Sequence, residues 1–348
     1  MTAPPPARPQ RILLVRTSAL GDVVHALPVL TALRRHLPEA RIGWVVEAAM
    51  APLLAGHPDI DELFVVRLRT WRRAPFAAAT RRELGAFRSA VRRFAPDAAL
   101  DLMGNHKGGA IALLSGAGRR IGLARRARRE PSSAVWINES ALPRGVHAVD
   151  RGLALLDALG LPPEPADFGA DRLLPAALAP PALAGEPFAL LHPGAAWANK
   201  RYPPERWGEA ARRLREATGL PTRVAVAPGE EALAAAVEAA AAGAAAAVPA
   251  PDLPALVALT RSARLFLGAD TGPTHLAHAL GTPVVMVMGP THPERHGPYG
   301  AVERALWHPL PCSFCYRRFE EVKACLLDVP PARVAERAAA LLADPARC

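Results

Sequence analysis

RILLVRTSALGDVVHALPVLTALRRHL, residues 11–37, decides the fold. Residues 11–16 (RILLVR) form an apolar run of strand length, and after the loop TSALGD the apolar residues recur at helical spacing. This is a strand-loop-helix unit, and the pattern continues along the chain. IGWVVE at 42–47, LFVVRL at 63–68 and AALDLMG at 98–104 read as strands, with helical patterns between most of them. Strands alternating with helices predict a parallel sheet, because parallel neighbours need a crossover connection.

Residues 161–187, LPPEPADFGADRLLPAALAPPALAGEP, are rich in proline and keep no sustained period, so they predict a connector. A second α/β series follows. FALLHPG (188–194), TRVAVAPG (222–229), RLFLGAD (264–270) and TPVVMVMGP (282–290) read as strands, and the last two flank a helix starting near Pro273. The alanine-rich residues 230–247 read as one helix by propensity, and 331–342 as the last helix. The expectation is α/β, with two doubly wound, Rossmann-like domains facing a central cleft. The domains are expected at 1–165 and 188–330, joined by 166–187, with 331–348 supplying a helix that packs back on the first. Ligands of such sheets sit at the carboxyl ends of the strands, where every motif discussed below lies. Neither half carries G-x-G-x-x-G or G-x-x-x-x-G-K-[ST], which argues against a dinucleotide or P-loop site.

Composition sets further bounds. A chain of 348 residues can bury two cores. With 51% hydrophobic and 21% charged residues, and no uninterrupted apolar run of about 20, it reads as neither disordered nor membrane-spanning. MTAPPPARPQ lacks the apolar core of a secretory signal, so a cytoplasmic protein is expected. Cys312, Cys315, Cys325 and Cys348 all fall near the end, which is no disulfide framework for a secreted fold. One C-x-x-C with a single further Cys also lacks the second pair of a zinc ribbon, so thiols are expected rather than a metal site. The excess of 42 basic over 32 acidic residues gives +10, a field that attracts anions. Much of it is arginine in the first half, at 67–73 and 119–129. Only 5% of residues are aromatic and no reader motif occurs, which argues against nucleic acid as the partner.

Three strand ends carry residues suited to chemistry. In T-S-A-L-G-D, Gly21 permits close backbone approach and Asp22 stands at a helix start; on chemistry alone a helix cap explains it more readily than a base does, and His25 is a rival base one turn on. In H-P-G-A-A-W-A-N-K-R-Y, Lys200 is a compact positive charge fit for a phosphate. G-A-D-T-G-P-T-H, 268–275, is the most specific: Asp270 offers a carboxylate, Thr271 and Gly272 expose N–H groups, and His275 sits in the first helical turn. A helix N-terminus built of small residues suits a pyrophosphate. A capped helix with a buried His would explain single members of that cluster but not all of it. G-P-T-H-P-E-R-H-G-P-Y-G, 289–300, could wrap a sugar or base; metal binding by His275, His292 and His296 fits no helical spacing.

At these residues the chain resembles glycosyltransferase family 9. RILLVRTSALGDVVHALPVLTALRRHLPEARIGWVVE looks like its amino-terminal signature and FLGADTGPTHLAHALGTPVVMVMGPTHPERHGPYG like its donor-site signature, while RTWRRAPF, DLMGNHKGG and ARREP resemble the heptosyltransferase I branch. The resemblance implies a GT-B fold and an inverting transfer of heptose from ADP-heptose to a Kdo-containing lipid A acceptor, in lipopolysaccharide core assembly. Asp22 falls on the catalytic aspartate. Lys200, Glu230 or Glu231, Asp270, Thr271, Gly272 and His275 fall on donor-binding positions, and Arg16, Ser18, Gly21, Arg72, Arg73, Lys107 and Arg129 on the acceptor side. Basic residues facing an acidic lipid suggest peripheral contact with the anionic inner-membrane surface. The chain departs at Ala195, where heptosyltransferase I has a hydroxyl. Its cysteine cluster is closer to other branches, which keeps a heptosyltransferase II-like acceptor, or a GT-B nucleotide-sugar epimerase, as alternatives. No cofactor is expected, and with no D-x-D in a donor-side loop, no essential metal.

Overall fold

The computed structural model describes residues 9–173, 185 and 187–343, and the chain divides into two units, 1–173 and 174–348. In the first, β1 (Arg11–Val15), β2 (Arg41–Glu47), β3 (Glu62–Val66), β4 (Ala98–Asp101), β5 (Arg119–Leu123) and β6 (Glu139–Ala141) form one sheet in the order β3-β2-β1-β4-β5-β6. All its pairings are parallel. Ile12 to Val15 are fully buried, as a central strand covered on both faces requires, which is why β1 reads as an unbroken apolar run.

The second unit repeats the plan. Strands β7 (Ala189–His192), β8 (Thr222–Val226), β9 (Ala245–Pro249), β10 (Leu265–Ala269), β11 (Val284–Val287) and β12 (Ala305–Leu306) lie in the order β12-β11-β10-β7-β8-β9. Counted from its own first strand, each sheet has the order 3-2-1-4-5-6. The chain starts in the middle, winds outward for three strands, then returns to the centre and winds the other way. First and fourth strands are therefore neighbours whose connections leave in opposite directions, and a crevice opens at their carboxyl ends.

Several expectations change. The alanine-rich stretch is not one helix: it is helical over Glu231–Ala241, turns through the left-handed Ala242 (φ 48°) and Gly243 (φ 84°), and continues as β9. Pairing with β8 overrides alanine's helix propensity there. The first unit runs past 165. Leu161 and Leu173 are buried in it, and Glu164 and Asp167 meet Arg35 at 3.0 and 2.8 Å. Of the expected linker, 174–184 and 186 lie outside the described residues. The last helix, Pro331–Ala343, contributes to the core of the second unit. Val334, Ala338 and Leu341, at i, i+4 and i+7, join the core around Trp207 and Leu214 of the helix Pro204–Thr218.

The arginine run 119–129 also divides. Arg119 opens β5 and forms a two-pronged pair with Glu139 of β6, at 2.8 and 2.7 Å, while Arg120 donates to Trp136 O at 2.9 Å. These two hold sheet and loop together rather than greeting a ligand.

Candidate active site

Arg16 follows β1 directly, and its guanidinium reaches over the first crevice. Nη1 donates to Leu102 O beyond β4, Nη2 to Asp22 Oδ1, and Nε to Asp22 O at 3.2 Å. Trp44 Nε1 donates to Arg16 O at 3.0 Å and fixes the backbone. Asp22 lies in the short helix Leu20–Val24, where its Oδ2 accepts from Ala19 N at 3.2 Å. One carboxylate oxygen thus closes the helix start while the other is held by an arginine. The Asp22 side chain keeps 39% exposure, enough for a hydroxyl to approach. Ser18 is exposed and Gly21 buried beside it. His25, the rival base, is buried, with its ring 5.1 Å from that of His147.

On the far side of the crevice, β4 ends at Asp101, which forms an ion pair with Arg128 in which both side chains are fully buried. Burial pushes the Asp101 carboxyl up, and Arg128 with the Met103 and Gly104 N–H groups pulls the other way. Arg128 also donates to Ser133 Oγ at 2.8 Å. Gly108 is needed here, because a Cβ at that position would lie 2.1 Å from Asp101 Oδ1. The pair draws residues 125–130 against the end of β4, where Glu130 N donates to Gly104 O at 3.0 Å. Arg129 and, in the first turn of the helix His106–Leu114, Lys107 are exposed on that rim. Arg72 and Arg73, exposed in the last turn of Leu68–Arg73, follow β3 and stand two strands from β1, about 10 Å of sheet.

The second crevice is bridged in the same way. Lys200, in the turn Ala198–Lys200 after β7, places Nζ 2.5 Å from Oδ2 of Asp270, the residue after β10. His275 Nε2 meets Asp270 Oδ1 at 3.2 Å, and Thr291, beyond β11, donates its hydroxyl to Oδ2. Burial opposes ionisation of Asp270, yet the hydrogen bond with His275 and the charge of Lys200 outweigh it and hold the carboxyl well below the usual range. His296 is driven down to about 4, first by burial and then by Lys200, Arg295 and His275, against the pull of Asp270. Near neutral pH it is an uncharged ring.

Thr271 precedes the helix Gly272–Ala279 without capping it, and Thr274 Oγ1 donates back to Ala269 O at 2.6 Å. Glu230 lies beside the end of β7, with Oε2 3.6 Å from His192 Nε2. Its carboxylate fits against Gly194, where a Cβ would approach Oε1 to 2.0 Å. Glu231 is exposed and accepts from Gly229 N at 3.1 Å, so Glu230 is the acidic residue at the strand end. Burial lowers the pKa of His192, opposed by Glu230. Glu230 Oε2 and Asn199 Oδ1 are buried with no hydrogen-bond partner among the described residues, acceptors that a polar ligand would satisfy.

Thr291, His296, Asn199, Trp197 and Arg318 went unassigned as donor-side residues in the sequence. Lys200 Nζ lies 4.8 Å and Arg318 Cζ 4.4 Å from the Trp197 ring centroid. Thr291 and His296 were legible as residues following a strand; Arg318 arrives through a long loop that carries no periodic signal. Cys312 and Cys315 are exposed thiols, and burial with the neighbouring Cys315 and Cys312 raises the thiol pKa of Cys325. Cys348 lies outside the described residues. Among the described residues no group of three or more His, Cys, Asp or Glu is arranged to hold a metal ion, and no helix is long and apolar enough to cross a membrane.

Residues 84–325 match the family described as glycosyltransferase family 9 (heptosyltransferase). The lipopolysaccharide heptosyltransferase 1 of Pseudomonas aeruginosa is 31% identical over 96% of this chain and 99% of its own length. Among solved structures, E. coli heptosyltransferase WaaC with ADP shares 30% identity at a TM-score of 0.74, over 85% of this chain and 92% of that one. WaaC with ADP-2-deoxy-2-fluoro heptose gives 27% and 0.76, over 94% and 98%.

Proposed function

The chain belongs to glycosyltransferase family 9, the heptosyltransferases, with two domains of the GT-B fold, and on that premise we propose that it moves heptose from ADP-heptose to a Kdo-containing lipid A acceptor. The observation that carries the reading is the half-exposed carboxylate of Asp22, pinned by Arg16 at the crevice of the first sheet. Both oxygens are held, Oδ1 by Arg16 and Oδ2 by Ala19 N, while the side chain as a whole keeps 39% exposure.

In this reading the acceptor hydroxyl gives its proton to Asp22 as its oxygen attacks the anomeric carbon. The new C–O bond forms as the bond to the diphosphate breaks, the electron pair leaves with ADP, and attack from the opposite face inverts the centre. Arg16 positions Asp22 through Nε and Nη2, and the remaining N–H groups of its guanidinium face the acceptor side. Ser18, Lys107 and Arg129, with Arg72 and Arg73 further out, receive the acidic acceptor. Lys200 and the first turn at Thr271 and Gly272 meet the diphosphate, where negative charge grows as the bond breaks. Asp270, itself held by His275, keeps Lys200 in place, because an ionised carboxylate only accepts hydrogen bonds and has none to donate to an anion. Glu230 stands toward the nucleoside. The partners are thus the donor, a lipid-linked acceptor and the anionic inner leaflet touched peripherally from the cytoplasm, with no nucleic acid.

The test is ADP release from ADP-heptose with delipidated Kdo-lipid A, by wild type and Asp22→Ala. Acceptor-dependent release should fall by about 10²- to 10⁴-fold in the variant while ADP binding persists. Release by wild type only with an already heptosylated acceptor would move the chain to another branch of the family. Conversion of free ADP-heptose without acceptor would make it an epimerase.

A further inference from the structure

The first sheet ends, on the side of β6, in apolar side chains that nothing among the described residues covers. Leu142 is 75% and Val146 58% exposed. Single exposed apolar residues are ordinary, but these two stand four positions apart in the loop that follows β6. Ala124 N donates to Ala141 O at 2.9 Å, which sets Arg125 beside Leu142 where β5 and β6 stop. Arg125 and Arg126 are exposed and form no ion pair among the described residues. The two carboxylates between 119 and 146 are engaged, Glu130 by His106 N at 2.8 Å and Glu139 by Arg119.

All of this lies at the carboxyl end of the parallel strands, the end that carries Asp22. At the other extreme of the same edge Phe76 is 85% exposed, just past Arg72 and Arg73. The edge spans five strand intervals, about 24 Å. Apolar side chains among unpaired arginines at both ends, with the base between them, fit a wide, flat, negatively charged partner with an oily interior. A small ligand could not touch both ends.

We propose that this edge is the membrane-docking face of the protein, with Leu142 and Val146 entering an anionic bilayer and Arg125 and Arg126 binding its headgroups. The inference rests on the reading that the acceptor is lipid-linked, since such an acceptor presents its hydroxyl just above the bilayer and needs Asp22 on the membrane-facing edge. Interfacial binding of this kind adds buried apolar area to electrostatic attraction, and salt screens the second part over about 8 Å at physiological strength.

The experiment is flotation of the full chain with vesicles of phosphatidylcholine, with or without phosphatidylglycerol, containing no sugar acceptor. Wild type should float only with the anionic vesicles, and less in high salt. Arg125→Gln with Arg126→Gln should weaken vesicle binding about 25-fold, at about fivefold per basic residue near the surface. Leu142→Ser and Val146→Ser together should weaken it about tenfold. Both variants should keep wild-type kcat and KM with delipidated acceptor. Anionic vesicles that fail to bind wild type, or that bind the serine variant as tightly, would overturn the proposal. So would a change in sedimentation of the serine variant, which would assign the patch to a second copy of the chain. Loss of transferase activity with vesicle binding intact would refute the catalytic reading alone.

Discussion

Lys200 has two jobs that one substitution confounds and a second separates. Its ammonium lies 2.5 Å from Asp270, only 15% of the lysine side chain and 6% of the aspartate being exposed. Lys200→Met leaves Asp270 buried against His275 and Thr291 without its main counter-charge. Breaking a buried pair from one side costs about 3–5 kcal/mol, and the partial exposure of the lysine points to the lower figure. At roughly 2–4 °C per kcal/mol for a domain of this size, the second domain should melt about 10 °C earlier. The same change removes a charge-assisted bond to the diphosphate, worth about 1.5–3 kcal/mol, or roughly 10- to 150-fold in ADP affinity. Adding Asp270→Asn removes the orphaned charge, since an amide can still accept from Thr291 and face His275. The double variant should melt within a few degrees of wild type yet still bind ADP weakly. Scanning calorimetry and titration calorimetry read the two quantities independently. Wild-type ADP affinity in the double variant would refute the reasoning, because Lys200 would then act only by neutralising Asp270.

Arg128→Ala should cost the first domain about 3–5 kcal/mol by leaving Asp101 buried and unpaired, and Asp101→Asn with Arg128→Met should recover most of it; thermal unfolding decides. His296 titrates near 4 when folded against about 6.5 unfolded, so below pH 6.5 only the unfolded chain takes the proton, and stability present above that pH is lost as pH falls toward 4. His296→Gln should flatten the pH dependence of the urea-unfolding free energy over that window by at most about 3 kcal/mol, and an unchanged slope would show that the ring is not held neutral.

The parallel fold was legible because buried central strands such as β1 and β10 read as continuous apolar runs and the loops after them carry Gly, Asp and Thr. What escaped were elements without that signature. Strand β5 begins with two arginines whose charges are spent on Glu139 and Trp136 O, and β9 is written in alanine, which says helix until β8 is there to pair with it. The site was legible residue by residue at the strand ends, but not its wiring. Arg16, placed by the resemblance on the acceptor side, also holds Asp22; Arg128, one of the basic run 119–129, is buried on Asp101. Nothing local distinguishes an arginine that will be buried from its exposed neighbours in A-R-R-A-R-R-E, since the deciding partner lies 27 residues away.

Because neighbouring central strands come from distant stretches of chain, each crevice closes late in synthesis. Arg16 waits for Leu102, 86 residues on, and Lys200 for Asp270, 70 residues on. At about 5–20 residues per second, several seconds separate each basic residue from the group it must grip. A growing chain can pair β1 with β2 and β3 in that time but owns no fixed Asp22 until β4 docks. Catalytic competence is therefore tied to the slowest, most non-local step of each domain's folding, and a partly folded chain released early should carry no fraction of the activity.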